Sequence, residues 1–239
     1  MKFIITLALF TLTLSSFASV DVYSDSYNTI KSVEMVEVVT DVFGNEVEQK
    51  MISNPFQTPK SQLRSTKGLG EVIMATKEII ALGKEIYKII EAGKPVVTIG
   101  ENKPLSVLPR DEKGNYIDAF DLERWQMPKA RKYRVIAKNG FGMKTISFDF
   151  MLIFTYGGQY NGKGAYITGA EVASVDVNVA WGYELDARFK VQSIFNQGTK
   201  SNPIAAAVLQ IDYKISTVLK ESRSSRKFMI NGLGQTQSY

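Results

Sequence analysis

Between Val175 and Val191 every second residue is apolar. Val175, Val177, Val179, Trp181, Tyr183, Leu185, Ala187, Phe189 and Val191 fall on one side of an extended chain, while Asp176, Asn178, Glu184, Asp186, Arg188, Lys190 and Gln192 fall on the other. A period of two belongs to a strand with one dry and one wet face, and no helix satisfies it. At ~3.3 Å per residue a single straight strand over this run would exceed about 50 Å. A bend or bulge is therefore expected at Gly182.

The same period governs much of the chain after Pro95. Val96–Ile99 and Leu105–Leu108 are short strand candidates, and Tyr133–Ala137 leads through Lys138-Asn139-Gly140 into Met143–Tyr156. Asn-Gly between alternating runs is a hairpin signal. In the second arm Ile146, Phe148, Phe150, Leu152 and Phe154 share a face. Ala206–Leu219 and Lys227–Ile230 complete the set, and Phe150 and Trp181, each central in a long run, are the expected core anchors. Nearer the N-terminus, Val33–Thr40 and Val47–Ile52 flank the turn residues Asp41-Val42-Phe43-Gly44-Asn45 and read as a hairpin.

Residues 71–92 break the rhythm. Val72, Thr76, Ile79, Gly83, Ile86 and Ile90 step by four and three, Ile73, Ile80 and Tyr87 form a stripe beside them, and Lys77, Glu78, Lys84, Glu85, Lys88 and Glu91 lie opposite. That pattern predicts an amphipathic helix stopped by Gly93 and Pro95. The fold class is accordingly mostly β (α+β): an antiparallel β-sandwich of roughly nine or ten strands with one amphipathic helix packed against it. An outer-membrane barrel fits less well, because the last residues, LGQTQSY, lack alternation and a helix does not suit a barrel wall.

At the N-terminus Lys2 precedes the apolar run Phe3–Leu14, and small residues at Ser16 and Ala18 meet the signal-peptidase requirement. Residues 1–18 are read as an export signal, with the mature chain starting at Ser19. The expected organisation is then an N-terminal segment, 19–52, carrying the hairpin; a proline-containing basic linker, 53–69; and a helix-plus-sandwich domain, 70–239. The absence of cysteine leans toward a bacterial exported product, since exported eukaryotic domains are commonly stapled. Loss of Lys2 lowers the formal charge from +5 to +4, an excess compatible with anionic lipid or polysaccharide but too small to indicate nucleic acid.

The 239 residues include no histidine and no cysteine, so no Ser-His-Asp or Cys-His nucleophile pair and no imidazole or thiolate zinc site is possible. Neither a cofactor nor a resident metal is expected. Gly157–Gly164 nearly spells a phosphate loop, but Gly164 occupies the Ser/Thr position and no helix follows, so a glycine-rich hairpin turn is expected. Ser224 and Lys227 have Ser-x-x-Lys spacing without the companion motifs of serine acyl-enzymes. Asp111, Glu112, Asp118, Asp121 and Glu123, with Trp125 nearby, hold the ingredients of a carboxylate glycosidase without fixing their separation.

Candidate contact residues for a ligand or membrane are Tyr156, Tyr160, Lys163 and Tyr166 around the glycine-rich turn, together with Trp125. Three function classes remain open. The first is an exported non-enzymatic β-sandwich, secreted or periplasmic, that binds a protein partner, a lipid surface or a glycan. The second is a pore-forming effector that inserts helix 71–92 through Ile73, Ile79, Ile80, Ile86 and Ile90. The third is a carboxylate-based glycan hydrolase.

Overall fold

The computed structural model describes residues 24–51, 72–83, 86–95 and 104–239. Fourteen strands lie among them: β1 (Ile30–Thr40), β2 (Glu46–Lys50), β3 (Val72–Ala75), β4 (Ile79–Leu82), β5 (Ile86–Glu91), β6 (Lys94–Pro95), β7 (Leu105–Pro109), β8 (Lys129–Asn139), β9 (Lys144–Tyr160), β10 (Lys163–Val179), β11 (Glu184–Asn196), β12 (Ala205–Ser216), β13 (Glu221–Asn231) and β14 (Thr236–Ser238). They form an eight-stranded sheet in the order β2-β1-β8-β9-β10-β7-β4-β3 and a six-stranded sheet in the order β14-β13-β12-β11-β5-β6. Every pairing between these strands is antiparallel. The chain is a mostly-β, two-sheet sandwich. Helical structure among the described residues is limited to one turn at 24–28 and a 3₁₀ turn at Ala119–Asp121.

Alternation sorts the side chains into the space between the sheets. Ile146, Phe148, Phe150, Leu152 and Phe154 of β9 are all buried, as are Leu185, Ala187, Phe189 and Val191 of β11 and Leu209, Ile211, Tyr213 and Ile215 of β12. Aromatic contacts bridge the layers: the Phe228 ring lies 4.7 Å from that of Tyr133 and 6.1 Å from that of Phe150. Tyr87 on β5 adds a polar tie to the opposite sheet, its hydroxyl accepting from Val172 N at 2.9 Å. Burial pushes the Tyr87 phenol well above its ordinary pKa, which keeps the hydroxyl protonated.

Four connections share one turn design. Asp41, Asp111, Asn139 and Asn231 each begin a five-residue turn with glycine in fourth place, at Gly44, Gly114, Gly142 and Gly234. In each the first residue's N–H donates to the fifth residue's carbonyl, and the glycine N–H donates back to the first carbonyl. The first side chain accepts from the fifth residue's N–H in every case. The four glycines have φ of +87°, +88°, +82° and +74°, the left-handed region that a side chain disfavours.

Two sequence expectations are corrected. Residues 71–92 are not a helix: the described part forms β3, β4 and β5, with a turn at Thr76–Glu78. Ile73 lies on β3, Ile79 and Ile80 on β4, and Ile86 and Ile90 on β5. β3 and β4 belong to the larger sheet and β5 to the smaller, so the proposed apolar stripe is divided between layers. The physical reason is the density of β-branched residues, which favour strands, and Gly83. Its φ is +130° and a Cβ there would lie 2.9 Å from Leu105 Cα. Ile86 points to solvent at 56% exposure while Ile90 is fully buried, which one helical stripe does not produce.

The second correction concerns Trp181. The long alternation is two strands, β10 and β11, separated by a tight turn at Ala180–Tyr183 in which Tyr183 N donates to Ala180 O at 3.1 Å. Gly182 has φ +83°, so the expected bend is a complete reversal. Trp181 sits on that turn, 89% exposed, and is not a core anchor. The export signal at 1–18, the linker at 53–69 and the strand candidate at 96–99 lie outside the described residues.

Candidate functional site

Strand register fixes which loops share an end of the sandwich. Ile30 is opposite Asn139, Val179 opposite Ile146, and Glu184 opposite Ser216. The 140–143, 180–183 and 217–220 connections, together with the helical turn 24–28, therefore gather at one end. Three consecutive residues of that helical turn hold the three loops. Gly140 N donates to Ser26 O at 2.9 Å, the Tyr27 hydroxyl donates to Trp181 O at 3.0 Å, and the Thr217 hydroxyl donates to Asn28 O at 2.8 Å. The Tyr183 hydroxyl donates to Tyr27 O, with the two rings edge to face at 5.9 Å. Gly140 is required by this approach, because a Cβ there would stand 2.6 Å from Ser26 O.

The turns satisfy their own backbones and leave their side chains outside. Asn139 Oδ1 accepts from Phe141 N at 3.1 Å and Met143 N at 3.0 Å, and the Thr217 hydroxyl accepts from Lys220 N at 3.0 Å. Outward from this polar scaffold stand Trp181, Val218 at 83% exposure, and the half-exposed Leu219, Phe141 and Met143. Scattered apolar residues are ordinary on a surface, but a cluster on adjoining loops marks a contact site. Lys31, Lys144 and Lys220 follow the buried Ile30 and the exposed Met143 and Leu219 directly in sequence, so each arm carries a cation close behind the rim. Sequence reasoning missed this end because it read Trp181 as a buried strand residue; the available signal was Gly182, whose turn turns its neighbour outward.

The candidates named from sequence lie at the opposite end, and the structure brings only some of them together. Trp125 is half-buried over Gly158, where a Cβ would be 2.5 Å from the indole, and its Nε1 donates to Ala119 O at 3.0 Å. Tyr156 is half-buried against Gly234, and Gln126 N donates to its carbonyl at 2.9 Å. Trp125 and Tyr156 are thus neighbours whose rings are engaged in packing. Tyr166 is buried against Gly164, and burial pushes its phenol pKa up to about 12. Tyr160 and Lys163 face each other at the exposed tip of the β9–β10 hairpin, whose turn is Asn161-Gly162 with φ of +51° and +71°. This is a hairpin turn and not a phosphate loop.

Two of the carboxylates near Trp125, Asp111 and Asp118, serve backbone turns. Asp111 accepts from Asn115 N at 2.8 Å, and Asp118 caps the 3₁₀ turn by accepting from Phe120 N at 2.9 Å. The hydrogen bond from Asn115 N holds the Asp111 carboxyl below its ordinary pKa, the wrong direction for a general acid. Among the described residues no three His, Cys, Asp or Glu side chains group as a metal site. Ser224 and Lys227 are both on β13, where an odd separation places their side chains on opposite faces.

Among the described residues no helix is long and apolar enough to cross a membrane. The described part of residues 71–92 is β-structure, so pore formation by an inserted helix is set aside. Comparison with protein-family models, with curated proteins and with solved structures finds no match to this chain.

Proposed function

We propose that the chain is an exported, non-enzymatic β-sandwich that seats on a lipid surface at the cell envelope or outside the cell. The reading is carried by the loop end where Trp181, Val218, Leu219 and Met143 project from turns clamped to residues 24–28. These side chains stand out from tight turns. A deformable bilayer accepts convex apolar tips without a matching cavity, and indole favours the interface between hydrocarbon and water. The lysines behind the tips suit anionic headgroups. A glycan would ask for polar side chains beside the aromatic ring, yet the Asn139 Oδ1 and the Thr217 hydroxyl are engaged with backbone groups. Export follows from the leader read at 1–18, and N-terminal sequencing of secreted material should find Ser19 first.

The chain has two tryptophans, so Trp125→Phe leaves Trp181 as the sole indole reporter. With vesicles of mixed phosphatidylglycerol and phosphatidylcholine its emission is expected to shift to the blue, and the protein should co-sediment. Trp181→Ser combined with Val218→Ser should abolish co-sedimentation without changing the melting temperature. Equal sedimentation of this variant, or no sedimentation of the parent protein, would refute the reading.

A further inference from the structure

Among the described residues, one edge of the six-stranded sheet is only half covered. β14 pairs with β13 from Phe228 to Ile230, and Tyr239 exchanges backbone hydrogen bonds with Lys227 at 3.2 and 3.0 Å. The remaining stretch, Glu221–Arg226, pairs with β12 in unbroken register from Ser216↔Glu221 to Ile211↔Arg226. Among the described residues no strand lies on its other side. Lys227 turns its amide and carbonyl outward to Tyr239, and Asn231 turns its amide outward to Gln235 at 3.2 Å. Antiparallel strands alternate in this respect, so Ser225, Arg223 and Glu221 present outward amides and carbonyls as well.

An open edge is ordinarily blunted by proline, a bulge or an inward charge. This stretch of β13 has no proline and no register shift, and its core-side charge, Arg226 opposite the buried Ile211, stands only at the end that adjoins the covered half. Its side chains are small or charged, with a net basic balance: Ser222, Ser224 and Ser225, Glu221 paired with Arg223 at 2.5 Å, and Arg226, with Lys227 at the junction. The outer face beside it is a depression of about 530 Å³ whose lining includes Arg188, Lys214, Arg223 and Ser225. The acids in that lining are engaged, Asp186 with Lys214 at 3.2 Å and Asp212 with Lys190 at 3.2 Å. Arg188 and Arg226 form no ion pair among the described residues.

From this we infer that the Glu221–Arg226 edge of β13 is a strand-addition site for an extended acidic segment of another protein. The segment would continue the line of β14, with backbone hydrogen bonds supplying affinity and the arginines supplying selection. A second copy docking edge to edge would bring two stretches of the same net positive charge together, which is unfavourable. The chain's own residues 52–71 carry Lys60, Arg64 and Lys67 against Glu71 alone, so they also suit this edge poorly.

The test is fluorescence anisotropy with a labelled seven-residue peptide of alternating glutamate and valine. It should bind saturably, and a lysine-for-glutamate peptide should bind at least about tenfold more weakly. Methylating alternate backbone amides of the glutamate peptide should abolish binding, a result independent of how any protein variant folds. Ser225→Pro removes an outward N–H at an edge position that tolerates proline and should weaken binding about tenfold with the melting temperature retained. The inference is overturned if no peptide binds, if the methylated or lysine peptide binds as tightly, or if the edge proves occupied by a dimer that Ser225→Pro dissociates.

Discussion

Arg134 and Asp149 meet fork to fork across β8 and β9, with Nε to Oδ1 at 2.6 Å and Nη2 to Oδ2 at 2.7 Å. They are direct register partners on the outer face of the larger sheet, yet Asp149 is almost completely buried there. Lys132 adds a third contact to Asp149 at 3.0 Å. Glu46 and Glu48 of β2 each reach Arg134 at 2.9 Å, passing over β1 to do so. The network thus ties the first hairpin to the sheet's centre.

Burial alone would raise the Asp149 pKa, but the hydrogen bonds from Arg134 and Lys132 outweigh it and hold the carboxyl below its ordinary value of 3.8. A carboxylate with a depressed folded pKa stabilises the fold above its unfolded pKa. That contribution is lost as pH falls through the folded value. Asp149→Asn should therefore lower stability by about 2–3 kcal/mol at neutral pH, because it leaves Arg134 and Lys132 facing a neutral group. The gap between variant and parent melting temperatures should close below about pH 4. A gap that stays constant down to pH 2 would mean that the ion pair is not its source.

Ile86 and Ile90 distinguish the observed strands from the helix that the sequence pattern suggested. A helical stripe would bury both, whereas in β5 the register shift opposite Ala187 and Arg188 switches the facing between the two, exposing Ile86 and burying Ile90 beside Ala187. Ile86→Asp should change stability by no more than about 0.5 kcal/mol. Ile90→Asp should unfold the protein, since an unpaired buried carboxylate costs several kcal/mol. Urea melts giving equal losses at the two positions would contradict the strand assignment.

Legibility followed how local the deciding physics was. The β8–β9 hairpin could be read because Asn139-Gly140 and the Ile146–Phe154 alternation both act within a few residues. The hairpin at Asp41–Asn45 was legible for the same reason. Residues 71–92 were misread because short strands joined by turns can imitate a period near four, and only the second sheet decides that Ile86 and Ile90 part company. Trp181 was misread because alternation continued formally across a reversal. The loop end was invisible for a further reason: Ser26, Tyr27 and Asn28 meet Gly140, Trp181 and Thr217 across more than a hundred residues of sequence. No spacing rule connects residues at that distance.

Gly140→Ala tests whether residues 24–28 organise that end. The added methyl would collide with Ser26 O, so the helical turn must shift and the bonds to the 181 and 217 loops loosen with it. The expected loss is about 1–3 kcal/mol, typical of a forced overpacking. Amides of Trp181 and Leu219 should exchange hydrogen faster, while those of Phe150 should be unchanged. Gly142→Ala makes a control in which nothing lies within contact distance and only the positive φ of +82° is strained. If both variants perturb the 181 and 217 loops equally, the helical turn is not their organiser.

Phe150 and Trp181 separate core from contact surface. Phe150 is fully buried, with its ring 5.4 Å from those of both Tyr133 and Phe148. Phe150→Ala should therefore cost about 3–5 kcal/mol through lost contacts and the cavity left behind. Trp181 leaves most of its ring in solvent, and what the fold uses at that position is its backbone carbonyl, which accepts from Tyr27 in any variant. Trp181→Ala should move the melting temperature by no more than a degree or two. The same change should remove a large part of vesicle binding, because the indole is the largest apolar group at the loop end. A Trp181→Ala protein that melts several degrees lower yet still binds vesicles would reverse the assignment, placing the indole in the fold and the contact elsewhere.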